Sequence, residues 1–382
     1  MRLLRAHLTA LLTALLTVLL LAAGTLAPGT LAGVASAQPA TTAAAGVPWS
    51  HVGPGWVLAQ YTTAAPEGGK TGPATLYLIS PGGARYTLAS WRDNRTAPQL
   101  LAWSPDGKRA LFQIFSGKGG VEQLTLATGQ VTRFALPGGA TPIGYTTPSG
   151  LNIVASRLSG SQTSLARYSL SGRLTRSLGS SADGAVLYEP TGAAFVTGTS
   201  SGLKLVSNGG TLIRKLPVPG TSANTCNPVR WWNAVTILAS CAPPNTAAPQ
   251  LWLVPVSGGR PVALTPRRSA SSRDLGDLDA WTLSSGLYLQ AAGPCGVLQI
   301  FKQARDGSIK LVTVPHTEGD NVVLTATGSR LLVQAPTSCV GSNSLLWYNP
   351  GTHAEQWLIR APSKVIGVEN AVPFYSRQNG NM

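Results

Sequence analysis

From about residue 47 onward the apolar positions come in short alternating runs, each bounded by Gly, Pro, Asn or Ser. Leu76-Tyr77-Leu78-Ile79, Val186-Leu187-Tyr188, Leu251-Trp252-Leu253-Val254, Leu331-Leu332-Val333-Gln334 and Leu345-Leu346-Trp347-Tyr348 are examples. Such runs, rich in β-branched and aromatic residues, read as strands. No stretch after residue 46 carries a 3.6-residue apolar period, so no helix is predicted there. The clearest unit is Leu100–Trp103, then Ser104-Pro105-Asp106-Gly107, then Arg109–Phe115. Asp-Gly between two apolar runs signals a hairpin, because glycine supplies positive φ without strain.

The turns recur. One series falls at Gly53–Gly55, Asp106-Gly107, Ser149-Gly150, Thr191-Gly192, Trp232-Asn233, Ser285-Gly286 and Thr327-Gly328. A second falls at Gly82-Gly83, Thr128-Gly129, Ser171-Gly172, Asn208-Gly209, Gly258-Gly259, Asp306-Gly307 and Pro350-Gly351, and the two series interleave. The period, roughly 40–50 residues, is that of a four-stranded propeller blade. A sandwich would not repeat at this period, and a solenoid would have shorter rungs. The predicted fold is therefore all-β, a seven-bladed β-propeller of four-stranded antiparallel blades spanning 47–382. The 43 Gly and 28 Pro of the 382 residues match the turns such an array needs. An extra strand after the seventh blade, Val365–Val368 through Val372–Tyr375, is expected to pair with strands around Trp49–Val52 and close the ring.

The Trp103-Ser-Pro-Asp-Gly-Lys-Arg109 stretch resembles the repeat of the TolB-type propellers, a periplasmic branch of the WD-like repeat proteins. Ile79-Ser80-Pro81-Gly82-Gly83 and Pro255-Val256-Ser257-Gly258-Gly259 followed by Val262–Thr265 resemble that family's outer hairpin. One blade carries the full inner motif, and the other six keep only the turn. The resemblance implies a fold and a habit of binding proteins or peptides, without an activity.

The N-terminus changes the compartment. Met1–Arg5 is short and basic, Leu8–Ala23 is apolar, and Ala35-Ser36-Ala37 has the A-x-A form. Residues 1–37 read as a signal peptide cut before Gln38, leaving no integral span; an uncut anchor is the alternative. Residues 38–46 read as a disordered lead-in. No Cys stands near the cut, which argues against a lipid anchor. Four cysteines in an exported chain favour disulfides. The blade register pairs Cys226 with Cys241, at adjacent strand ends of blade five. It pairs Cys295 with Cys339, in equivalent loops of blades six and seven. A metal site is disfavoured, since C-x-x-C spacing is missing.

The formal charge is +15, and removing residues 1–37 takes away only Arg2 and Arg5 of the 29 basic side chains. Such a chain is drawn to anionic polymers and phospholipid surfaces. Nucleic acid is not expected as a partner, because the chain reads as exported and its basic residues as scattered. The one tight group, Arg267, Arg268 and Arg273, is followed by Asp274, Asp277 and Asp279.

Chemistry-bearing clusters are few. His316 with Glu318 and Asp320, in the loop from blade six to seven, is the best acid–base constellation; a plain loop cluster is the ordinary reading. Asp274, Asp277 and Asp279 read as solvated loop acids or oxygen ligands for Ca²⁺. Gly198-Thr199-Ser200-Ser201-Gly202 fits G-x-S-x-G but bridges two strands, with no helix behind it. Gly69-Lys70-Thr71 lacks the glycine and helix of a phosphate-binding loop. Trp91 and Trp281, beside inter-blade loops, are candidates either for blade packing or for a stacking platform.

No catalytic residue, metal or cofactor is assigned. The expected function is a non-catalytic, extracytoplasmic, monomeric propeller. It would bind a protein, peptide or anionic cell-envelope polymer through the rim with the longest loops: Thr62–Ala74, Cys241–Pro249, Thr265–Asp279 and Ala335–Ser344. The alternative is a propeller-type lyase, lactonase or cyclotransferase with its site at the channel mouth.

Overall fold

The computed structural model describes residues 46–374 apart from 66–70, 116–118, 161, 183, 220–224, 243–247, 269–274, 294–296 and 336–341. The strands form seven four-stranded antiparallel sheets. Blades 2 to 7 are continuous in sequence, covering 99–134, 141–181, 187–217, 225–263, 276–312 and 322–359. Each runs from an innermost strand to an outermost one, with its first and third hairpin turns on one rim and its second turn, together with the connections between blades, on the other. These are the turn rim and the loop rim below. Blade 4 has the shortest innermost strand, Leu187–Tyr188.

Blade 1 corrects one expectation. Its three outer strands are Val57–Thr62, Ala74–Ile79 and Arg85–Trp91, and its innermost strand is Gly367–Pro373, brought from the far end of the chain. The extra C-terminal strand does close the ring, but its partner is Val57–Thr62, in register from Val57↔Pro373 to Thr62↔Gly367. Trp49–His51 is instead a single 3-10 turn. Pro48 and Pro54 flank it and lack the N–H a ladder needs, so the segment is too short and too interrupted to be a strand. Gly53–Gly55 is thus the approach to the second strand of blade 1, not a hairpin turn.

Packing follows the ring. The buried apolar residues fall into seven clusters, and each bridges one pair of neighbouring blades. A sheet buries two faces only when a neighbour covers each, so the closed ring is what completes every blade. The clusters are unequal. Blades 1 and 2 share the one built around Trp91, Trp103 and Phe112. Blades 5 and 6 share only Leu238, Leu251, Ala280 and Leu289 as fully buried members.

Polar contacts supplement that thin interface. Arg230 of blade 5 is ion-paired with Asp279 of blade 6 and lies over the Trp281 ring, 4.4 Å from its centroid. Burial raises the Asp279 carboxyl, with the Arg230 guanidinium acting against it. Arg268 pairs with Asp277 at 2.7 Å, and the Ser240 hydroxyl donates to the Asp277 carbonyl. The expectation that Asp277 and Asp279 are loop acids is therefore corrected. Blade 6 begins at Gly276, both residues stand in its innermost strand, and each carboxylate is taken by an arginine. Asp274 lies outside the described residues.

Candidate functional site

Five of the seven neighbouring pairs of innermost strands are in close contact around the axis, the exceptions being blades 3 with 4 and 5 with 6, and each innermost strand has one edge paired within its blade and the other free of its own sheet. Six of the seven carry a β-bulge at the same register. The unpaired residue is Leu101 in blade 2, Ile143 in blade 3, Val229 in blade 5, Leu278 in blade 6 and Leu324 in blade 7. In blade 1 it is Glu369. Bulges re-aim side chains. Five blades place an aliphatic group at this position, and the strand that closes the ring places a carboxyl there.

Glu369 lines a cavity of about 390 Å³ on the loop rim, at the seam where blades 7, 1 and 2 meet. Burial raises its carboxyl, and its hydrogen bond from Asn94 Nδ2 at 3.4 Å opposes that rise. Asn94 is held in turn. Its Oδ1 accepts from Gly72 N–H at 3.3 Å, and its own N–H donates to the Gly72 carbonyl at 2.8 Å. A Cβ on Gly72 would stand 2.7 Å from the Ala64 backbone nitrogen, so only glycine lets the two ends of the loop between Val57–Thr62 and Ala74–Ile79 run this close together. On the other side Gln99 Nε2 donates to Asn370 Oδ1 at 3.3 Å. Buried Gln60 fixes the entry to blade 2, donating to the Pro98 carbonyl at 3.0 Å and accepting from Leu100 N–H at 2.7 Å. The remaining wall is mixed: Arg95, Thr96 and Asn343 are polar, and Ala97, Ile114, Ile366 and Phe115, which is 68% exposed, are apolar. The cavity thus offers side-chain amides and a carboxyl beside an aromatic lip.

The residues singled out in the sequence lie elsewhere. Trp91 and Trp281 are 2% and 1% exposed, packed between blades, so neither presents a ring face to a ligand. His316 and Glu318 are exposed in the loop joining blades 6 and 7, and His316 has a φ of 57°. Asp320 Oδ1 accepts from Leu298 N–H at 2.7 Å, bracing the third strand of blade 6. Among the described residues no three His, Cys, Asp or Glu side chains stand grouped for a metal ion. Cys226 and Cys241 face each other across the first two strands of blade 5 and are disulfide-bonded. Cys295 and Cys339 lie outside the described residues. Ser200 and Ser201 separate two strands of blade 4, as a turn would. Gly69-Lys70 also lies outside the described residues. Glu369, Asn370, Asn94 and Gln99 went unnoticed in the sequence; their signal emerges only when the innermost strands are aligned by register.

No family model matches the chain, and no curated protein matches it. Many solved structures share its fold. A puromycin-hydrolyzing peptidase from Mycobacterium tuberculosis superposes with a TM-score of 0.52 at 14% identity, covering 81% of this chain and 53% of that one. The chain thus spans about half the length of that peptidase. The β-propeller domain of the trilobed protease from Pyrococcus furiosus gives 0.50 at 12% identity, covering 81% and 96%. A 6-phosphogluconolactonase candidate from Bacteroides uniformis gives 0.51 at 15% identity, covering 82% and 98%. These likenesses show the propeller fold, which serves many unrelated functions.

Proposed function

We propose that this is a non-catalytic, extracytoplasmic propeller that binds an extended segment of a protein or peptide in the loop-rim cavity at the ring seam. The observation that carries the reading is the lining around Glu369. A side-chain amide has the donor and acceptor of a peptide group, so Asn94, Gln99 and Asn370 suit backbone recognition. Glu369 suits an amine or guanidinium side chain, and Phe115 at the lip suits apolar contact. The Cys226–Cys241 disulfide supports an oxidising compartment. The TolB-type resemblance at Trp103–Arg109 points the same way, toward protein partners.

Selection from a random-peptide display library tests this. Enriched peptides should carry a basic residue, and their affinity should fall at least tenfold in Glu369→Ala and Asn94→Ala proteins that remain folded at the assay temperature. Failure to enrich, or affinity indifferent to both substitutions, overturns the reading. The enzyme alternative gains support from the same residue, since a carboxyl raised by burial is a usable acid. It requires turnover in an ester, lactone or glycan screen that is lost in Glu369→Gln.

A further inference from the structure

The basic side chains are less scattered in space than in sequence. Blades 3 to 6 bring Arg173, Arg176, Arg214, Lys215, Arg260 and Lys310 to the turns before their outermost strands or to those strands, and all six are exposed. They lie at or near the turn rim, opposite the cavity. Glu189 and Asp306 are the acids on this part of the rim among the described residues, and the Asp306 carboxylate already accepts from the Ser308 hydroxyl.

Exposed apolar side chains gather in the same place. Among the described residues eleven large apolar side chains stand well exposed. Leu151 and Val235, both 60% exposed, are on inner hairpin turns of blades 3 and 5. Leu174, Leu212, Ile213, Val262 and Ile309 open the outermost strands of blades 3 to 6. Seven of the eleven therefore share one arc of one rim with the cations, whereas blades 1, 2 and 7 have none there. Isolated exposed aliphatics need no explanation, but their concentration among cations on four consecutive blades marks an interaction face.

We infer that the turn rim of blades 3 to 6 docks on an anionic phospholipid surface. Cations interleaved with aliphatics fit a bilayer interface, where phosphate groups lie just above acyl chains. The ends of a propeller's turns lie on one face of the disc, so an arc of them can meet a plane. The path of the chain agrees. Gly55 lies against Pro81 in an outer turn of blade 1, so residues 46–56 enter on this rim. Docked this way, the loop rim and its cavity point away from the bilayer.

Hydrogen–deuterium exchange of the full chain on vesicles tests the inference, because it reads where the ring is covered whether or not the N-terminal run inserts. On vesicles of equal parts phosphatidylglycerol and phosphatidylcholine, protection should appear at 171–176, 211–215, 258–263 and 305–311. It should be missing on pure phosphatidylcholine, and it should weaken as salt rises. A protein with Arg173→Glu, Lys215→Glu, Arg260→Glu and Lys310→Glu should keep its melting temperature and lose this protection, with about tenfold or greater loss of the phosphatidylglycerol-dependent binding. Leu174→Ser with Ile213→Ser and Val262→Ser should weaken binding that persists at high salt. Equal protection on both vesicle types, protection centred on the loop rim, or binding unchanged by charge reversal would each overturn the inference. Protection by soluble polyphosphate as strong as by vesicles, with no effect of the serine substitutions, would assign the arc to an anionic polymer and overturn the lipid assignment.

Discussion

The Phe374 ring stands edge-on to Trp103, with centroids 4.9 Å apart and planes at 90°. Trp103 opens the Ser-Pro-Asp-Gly turn of blade 2, and Phe374 follows the strand that completes blade 1. The last described residue is thus seated on the most regular turn in the sequence. Its N–H also donates to the Trp56 carbonyl at 2.8 Å. One contact joins blade 1, blade 2 and the C-terminal strand.

Phe374→Ala should therefore cost the whole ring. Full burial of Phe loses about 3–5 kcal/mol on truncation to Ala, and this half-buried ring should lose about 2–3 kcal/mol. Deleting 364–382 should lower Tm further, because it removes the innermost strand of blade 1 as well. Gly107→Ala probes the same contact from the other side: Gly107 has a φ of 74°, and its Cβ would meet Phe374 at 2.9 Å. Thermal melts check all three, and an unchanged melt after the deletion would refute closure by this strand.

The Arg230–Asp279 pair should matter more than an ordinary surface ion pair, because it spans the interface with the fewest buried apolar residues. Asp279→Ala leaves a mostly buried guanidinium without its partner, and the expected loss is about 3 kcal/mol, the lower end for breaking buried pairs. Replacing both residues with apolar ones of similar volume should recover much of it. A double-mutant cycle on Arg230 and Asp279 measures the coupling; a value near zero would mean the apolar contacts of blades 5 and 6 suffice.

Blade number and, Gly53–Gly55 apart, the hairpin turns were legible in the sequence because turn chemistry is local. A Gly or Asp-Gly at a fixed offset between apolar runs declares itself without tertiary information. The Cys226–Cys241 pairing was legible for the same reason, since both residues sit at fixed positions on one hairpin. The partner of the closing strand was not, because Trp49–Val52 has an apolar composition that suits a strand, while the decisive facts are Pro48 and Pro54. The Asp277 and Asp279 misreading has a similar cause. Acids beside a run of Arg and Ser look like a loop, and the arginines that bring them into a strand come from 230, in another blade, and from 268. Glu369 stayed hidden because one glutamate near a chain end carries no local pattern. It stands out only against Leu101, Ile143, Val229, Leu278 and Leu324, and that comparison needs the bulge register.

The disulfide should act locally. Cys226 and Cys241 are separated by 15 residues, and closing a loop of that size stabilises by about 3 kcal/mol in the chain-entropy account. Cys226→Ala with Cys241→Ala should lower Tm and speed amide exchange at the loop-rim ends of the blade 5 strands, leaving the turn at 233–236 protected. Non-reducing peptide mapping gives the second half of the test. A 226–241 peptide is expected, and the register further predicts a 295–339 peptide. A 226–295 or 241–339 link would contradict the register.

Glu369 gives the site a pH signature with a definite sign. Burial raises its carboxyl, so between the unfolded value of about 4.3 and the raised folded value the native protein holds a proton that the unfolded chain has released. Stability contributed by the protonated group is present below that window and is lost as pH rises through it. Glu369→Gln removes the titration while keeping an acceptor for Asn94. The variant should therefore match the wild type near pH 4 and become the more stable of the two as pH climbs toward 8, in paired melts at constant ionic strength. The opposite slope, with the wild type gaining on the variant as pH rises, would mean that a cation already stabilises the ionised carboxylate. Arg95, which lines the same cavity, would be the residue to substitute next. A ligand carrying an amine or guanidinium should itself reverse the slope, because binding to the ionised form pulls the carboxyl back down. The reversal should be seen with a basic peptide and not with its neutral counterpart, which ties the titration to the binding role proposed for the seam.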